Sequence, residues 1–177
     1  MSWVEPLPWT QQVITRFGVV AKSLGDTSVV QNKPLIEQTE TGHDRITIVA
    51  EFPRTDSSSL FDFWTNTELL KKWWPPVAEL EPRLGGTYHF SWPNQNWHLR
   101  GRYTVFNRGK KLGFTWKWDH ESVKETRVTL TFASLPKIGT SLLLEHEGYA
   151  KTKEDRTIRD EHIEGWMFFL GKLQEIT

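Results

Sequence analysis

Two histidines stand where their neighbours make them candidates for chemistry. Along TSLLLEHE (Thr140–Glu147) the parity that turns Leu142 and Leu144 inward also turns His146 inward. A buried imidazole needs a partner. It can donate to a ligand carbonyl or carboxylate, act as a general acid, or be satisfied within the core by backbone or a tyrosine. The other, His162, lies among carboxylates in RDEHIE (Arg159–Glu164). That cluster can be imagined around a metal, but it reads better as the solvated face of a helix. No His-Glu-x-x-His helix, Gly-x-Ser-x-Gly elbow or phosphate loop is present. Gly85–Gly86 precedes a strand pattern and reads as a turn, and the serines of TDSSSL read as helix caps with no base paired to them. The sequence therefore assigns no catalytic residue, no metal and no cofactor, and leaves enzymatic activity open, with a non-enzyme favoured.

The richer resource is aromatic. The 177 residues include ten tryptophans, ten phenylalanines and three tyrosines. Such rings fill a core or line a cavity for an apolar guest. Alternation places Tyr88, Phe90 and Trp92 on one strand face and Leu112, Phe114, Trp116 and Trp118 on another. Trp97 and Leu99 extend that wall, and Trp166 and Phe169 face it from the last helix. The wall encloses a ligand or forms a solid aromatic core; both readings stand. Arg100 and Arg102 have the opposite parity from Leu99 and fall on the outer face. One stretch poses a question of its own, because KKWWPP sets Trp73 and Trp74 side by side before two prolines. Neighbours on a helix point about 100° apart and neighbours on a strand point oppositely, so the two rings are not expected in the same hole.

The elements that must position these residues follow from periodicity. In residues 1–43, Thr10 caps a helix with a stripe of Val13, Ile14, Phe17, Val20, Ala21 and Leu24, closed by Gly25; residues 26–42 read as loop. From residue 44 the pattern turns to strands. RITIVAEF alternates, and two short helices follow, one capped by Asp56 or Ser57 and carrying Leu60, Phe61 and Trp64, the other, TELLKKWW, stopped by Pro75. A meander comes next: TYHFSW, WHLRGRYTVF, KLGFTWKW, ETRVTLTFA and TSLLLEHEG. The chain closes with an amphipathic helix from about Asp155, striped by Ile163, Trp166, Leu170 and Leu173. That order predicts an α+β fold, a curved antiparallel sheet of six to seven strands wrapped around the last helix. A sheet bent around one helix does not close tightly at both ends, so a cavity is expected between them.

Composition removes several function classes. Lys plus Arg equals Asp plus Glu at 22 each, so no field draws nucleic acid or anionic lipid. Cysteine is absent, which excludes disulfides and thiol nucleophiles. No run approaches the roughly 18 apolar residues of a membrane span, and the first residues lack the pattern of a signal peptide, so the expected location is cytoplasmic.

The motifs LFDFWTNTELLKKWWPP, EPRLGGTYHF, Gly101 within LRGRYTVF, LGFTWKW, TSLLLEHEGY and EGWMFFLGKL occur in this order. Together they resemble the family of homologues of the activator of the heat-shock-protein-90 ATPase, a branch of the START-like (SRPBCC, helix-grip) superfamily that shares its fold with the birch-pollen allergen. The resemblance runs from Asp44 to the end and leaves residues 1–43 as an extension carrying one extra helix. It implies a helix-grip domain over residues 44–177 and a small, largely apolar guest, aromatic or lipid-like, in the internal cavity. It also implies that the short-helix pair forms a lid, with Trp73 packed between lid and sheet and Trp74 edging the cavity or its mouth, unless both simply pack. The expected ligand-binding set is Trp74, Tyr88, Phe90, Trp92, Trp97, Phe114, Trp116, Trp118, His146, Trp166 and Phe169. Two other roles follow from the same resemblance: a co-chaperone contact with a heat-shock ATPase, and a cyclase- or aromatase-type enzyme. A homodimer through the N-terminal helix is also open.

Overall fold

The computed structural model describes residues 34–39, 41–122, 124–136 and 138–177. The N-terminal helix read over residues 10–24 lies outside them. Eight strands form one antiparallel sheet: β1 (Ile36–Thr39), β2 (Arg45–Phe52), β3 (Val77–Leu80), β4 (Thr87–Trp92), β5 (Trp97–Asn107), β6 (Lys111–Trp118), β7 (Thr126–Ser134) and β8 (Thr140–Glu147). Their spatial order is β1-β2-β8-β7-β6-β5-β4-β3. Two short helices, α1 (Ser57–Thr65) and α2 (Thr67–Leu70), carry the chain from β2 to the far edge, from which the meander returns. The long helix α3 (Lys153–Ile176) ends the chain.

Alternation delivers the core as expected. Ile46, Ile48, Ala50 and Phe52 of β2 are buried, as are Val128, Leu130 and Phe132 of β7 and Leu142 and Leu144 of β8. Registers place them side by side: Ile46 opposes His146, and His146 opposes Val128. Between Tyr103 and Val105 the β5–β6 register slips by one residue, a bulge that bends the sheet at that point. Asp56 caps α1, accepting from Ser58 N at 3.0 Å and Ser59 N at 3.1 Å. The Ser59 hydroxyl also donates to this carboxylate, and these bonds hold its pKa below the usual carboxylate value. Asn66 ends α1 and caps α2 at once, accepting from Glu68 N at 3.0 Å and Leu69 N at 3.1 Å. α3 starts at Lys153, two residues before the expected position, with Thr152 Oγ1 accepting from Asp155 N at 3.0 Å. Its 24 residues span about 36 Å.

The sheet exceeds the expected six to seven strands because both edges are four-residue strands, too short for alternation to declare them. One of them corrects the loop reading of residues 26–42: Ile36–Thr39 pairs with residues 47–50. This edge is tied to the last turns of α3, since Leu35 O accepts from Glu51 N at 2.8 Å and from Gln174 Nε2 at 3.0 Å.

Trp166 and Leu173 are buried on α3 against the sheet. Trp166→Ala is expected to cost about 3–5 kcal/mol in urea unfolding, as a large-to-small core change. A chain starting at Thr41 loses β1 and the Leu35 acceptor. It is expected to unfold cooperatively still, with a lower midpoint than the full chain; non-cooperative unfolding would place β1 within the indispensable core.

Candidate functional site

A cavity lies between the inner face of β4–β6 and the α1–α2 pair. Its lining is Trp64 from α1, Trp74 from the turn after α2, Tyr88 and Phe90 from β4, Tyr103 from β5 and Phe114 from β6. The free volume for a water-sized sphere is ≈ 10 Å³, about what a single water molecule requires. Ring centroids crowd it: Tyr88–Phe90 at 4.6 Å, Trp74–Phe90 at 5.3 Å, Tyr88–Tyr103 at 5.8 Å. A Cβ at Gly101 would stand 2.1 Å from Thr115 O and 2.6 Å from the Tyr88 ring. Only glycine there lets Tyr88 lie against the strand and donate its hydroxyl to Thr115 O at 2.6 Å. Burial raises the phenol pKa of Tyr88 and of Tyr103, so both remain protonated. The Tyr103 hydroxyl and Trp64 Nε1, both buried, meet no acceptor among the described residues.

Of the eleven residues read as the ligand set, Trp74, Tyr88, Phe90 and Phe114 line this cavity. The others are inward or half-buried but stand elsewhere along their elements. Trp116 lies behind Trp74, stacked on it at 5.5 Å and 16°. Trp166 packs against both, at 5.0 Å from Trp116 and 5.3 Å from Trp74, and Phe169 is 6.3 Å from Trp74. Trp92 and Trp97 gather around Trp118, at 5.1 and 6.3 Å, and Trp118 meets Trp116 edge-on at 5.9 Å. Strand parity identifies the face and says nothing of position along it, which is why only part of this wall reaches the cavity. The premise about Trp73 and Trp74 also needs correction. Both are buried in one cluster, 5.5 Å apart. They follow the end of α2 in a tight turn, where the N–H groups of Trp73 and Trp74 both donate to Leu70 O, at 3.3 and 3.1 Å. Trp73 Nε1 donates to Phe63 O at 3.0 Å, and Trp74 turns into the centre of the rings. Trp64 and Tyr103 were missed as lining, although Tyr103 shares the parity of Leu99 and Gly101.

Behind Trp116 lies a chain of buried polar groups. Trp166 Nε1 can only donate, and it meets His146 Nδ1 at 3.2 Å. His146 therefore carries its proton on Nε2 and donates to Thr126 Oγ1 at 2.7 Å, while that hydroxyl donates to Trp116 O at 3.4 Å. The Tyr149 hydroxyl bridges His146 Nδ1 at 2.9 Å and His162 Nδ1 at 2.7 Å. His162 Nε2 meets Glu121 Oε1 at 3.1 Å. Burial, with His162 alongside, drives the His146 pKa well below its ordinary value. His146 is thus a satisfied core histidine. His162 corrects the solvated-face reading: it is buried. Its spacing to Trp166, Leu170 and Leu173 is that of the inward stripe, a signal present in the sequence. No group of three or more metal-ligating side chains among the described residues could hold an ion.

The family described as activator of Hsp90 ATPase homolog 1-like proteins matches residues 54–177. The chain belongs to this family. The match begins after β2, ten residues beyond the boundary read from the motifs. Solved structures agree in fold. A Mesorhizobium loti protein shares 22% identity at TM-score 0.63, covering 73% of this chain and 94% of that one. An HSP90 activator from Plasmodium falciparum shares 20% at TM-score 0.62, covering 75% and 95%. A Rhodobacter sphaeroides protein shares 20% at TM-score 0.64, covering 80% and 96%. Likeness at such identity establishes the helix-grip fold. Among curated proteins, none matches. No helix of the described residues is long and apolar enough to cross a membrane.

The histidine chain of this activator-homologue domain gives a pH prediction. The folded pKa of His146 is depressed, so the unfolded chain takes up a proton that the folded chain refuses. The stabilisation is fully present above the unfolded value of about 6.5 and is lost as pH falls below it. Unfolding free energy measured from pH 8 to 4.5 should decline below pH 6.5. His146→Gln should flatten that decline by up to about 1.4 kcal/mol per pH unit. Parallel curves for the two proteins would show that His146 titrates normally.

Proposed function

We propose that the protein binds one small, largely apolar molecule between the inner face of β4–β6 and the α1–α2 pair, and that Trp74 is the ring it displaces. The observation that carries this reading is the pair of unpartnered donors in the cavity lining, Trp64 Nε1 and the Tyr103 hydroxyl. A buried donor left unpaired costs about 1–3 kcal/mol, and a guest with an acceptor removes that cost. The residual volume of ≈ 10 Å³ admits nothing larger than a water, so a guest requires a ring to move. Trp74 is the most exposed ring of the buried cluster, at 8%. It sits on residues 71–76, which belong to neither helix nor strand.

The family supports a second role, contact with a heat-shock ATPase, and one of the structural relatives is an HSP90 activator. That role needs a surface and no cavity. An acid–base enzyme has less support, since both nitrogens of His146 are taken by protein groups.

Thermal shift with a panel of neutral bicyclic compounds tests the binding reading. A ligand at about 100 times its Kd should add roughly 2.7 kcal/mol of stability. Trp74→Ala should bind such compounds more tightly than the parent while being less stable without them, because the space no longer has to be opened. If neither protein responds in melting or tryptophan emission, the core is solid. Stimulation of a heat-shock ATPase in a parallel assay would then assign the interaction role.

A further inference from the structure

The lining is chemically one-sided. Its six residues are all aromatic and none is charged. Trp64 and Tyr103, each 3% exposed, hold an indole N–H and a phenol O–H without an acceptor among the described residues. An indole nitrogen donates and never accepts. Trp116 Nε1 and Trp118 Nε1, outside the lining, are also buried without an acceptor among the described residues. The remaining lining hydroxyl, that of Tyr88, has already given its proton to Thr115 O. The other indoles of this cluster show that acceptors are supplied where the protein intends to close the bond: Trp73 has Phe63 O and Trp166 has His146 Nδ1.

From this donor-only lining we infer the class of guest: a neutral, flat, apolar molecule carrying a carbonyl- or ether-type acceptor, such as an aromatic ketone or lactone. The inference rests on the binding reading above and narrows it. A pure hydrocarbon leaves both donors unpaired. A molecule whose polar atoms are donors does no better for Trp64. A carboxylate, including that of a fatty acid, would enter a wall with no cation to compensate its desolvation. A carbonyl oxygen has two lone pairs and no proton, so it can accept from Trp64 Nε1 or from the Tyr103 hydroxyl.

Four bicyclic compounds of similar size separate the possibilities: chromone (acceptors only), naphthalene (neither), indole (donor only) and chromone-2-carboxylate (an anion). Affinities are measured by calorimetry on the full chain, and the tryptophan Nε1–H signals are followed by 15N NMR, with Trp64 assigned through Trp64→Phe. Chromone should bind about tenfold or more tighter than the other three, the worth of one or two net hydrogen bonds, and should move the Trp64 N–H proton downfield. Tyr103→Phe removes a hydroxyl that has no partner to lose, so it should fold normally, and its preference for chromone over naphthalene should shrink severalfold. Naphthalene or indole equal to chromone would overturn the acceptor class and leave the cavity reading intact. Chromone binding with Trp64 N–H unmoved and the preference retained in Tyr103→Phe would also overturn it. Failure of all four to bind would remove the cavity reading itself, and the inference with it.

Discussion

A sheet that curls around one helix presents more inward surface than the helix can cover, and here tryptophan makes up the difference. α3 lies closest to β1 and β2, with Gln174 bonded to Leu35 O and Glu51 O. Across β4–β6 the gap is filled by rings, and Trp74 is their meeting point. It stacks on Trp116 of β6 and touches Phe90 of β4, Trp166 of α3 and Trp64 of α1. Strand, long helix and short-helix pair therefore share one side chain. That residue is supplied by a turn, whose backbone is the cheapest part of this core to move.

Some buried polar groups close their bonds within the protein and others do not. On the α3 side, His146, Thr126, Tyr149, His162 and Glu121 form an unbroken sequence of bonds, and Trp166 joins it. Such a network holds the final helix in one register against β7 and β8. Among the described residues, Trp64 Nε1, the Tyr103 hydroxyl, Trp116 Nε1 and Trp118 Nε1 meet no acceptor, and Gln174 Oε1 on α3 meets no donor. A core built only for stability would fill those positions with groups that need no partner.

Family membership constrains the scaffold more than the chemistry. Relatives at 20–22% identity keep the sheet and the closing helix, because both follow from apolar periodicity that many sequences satisfy.

How much of this was legible before folding follows from the range of each signal. Alternation and amphipathic stripes are local, so the six long strands, α1 and the closing helix could be read directly, with the α1 cap narrowed to Asp56 or Ser57. The same parity turned Tyr88, Phe90, Phe114 and His146 inward. Local signals faded at the four-residue edge strands, which are strands only because β2 and β4 offer them partners. They faded again after α2, where Trp73 and Trp74 leave helical spacing and enter one cluster. His162 carried the right spacing to Trp166, but the surrounding carboxylates hid it. Which rings share the cavity, and which donors lack acceptors, was decided by tertiary structure alone. Hydrogen-bond partners such as His146 and Trp166 lie 20 residues apart, and no periodicity reaches across a fold to pair them or to leave Trp64 and Tyr103 unpaired.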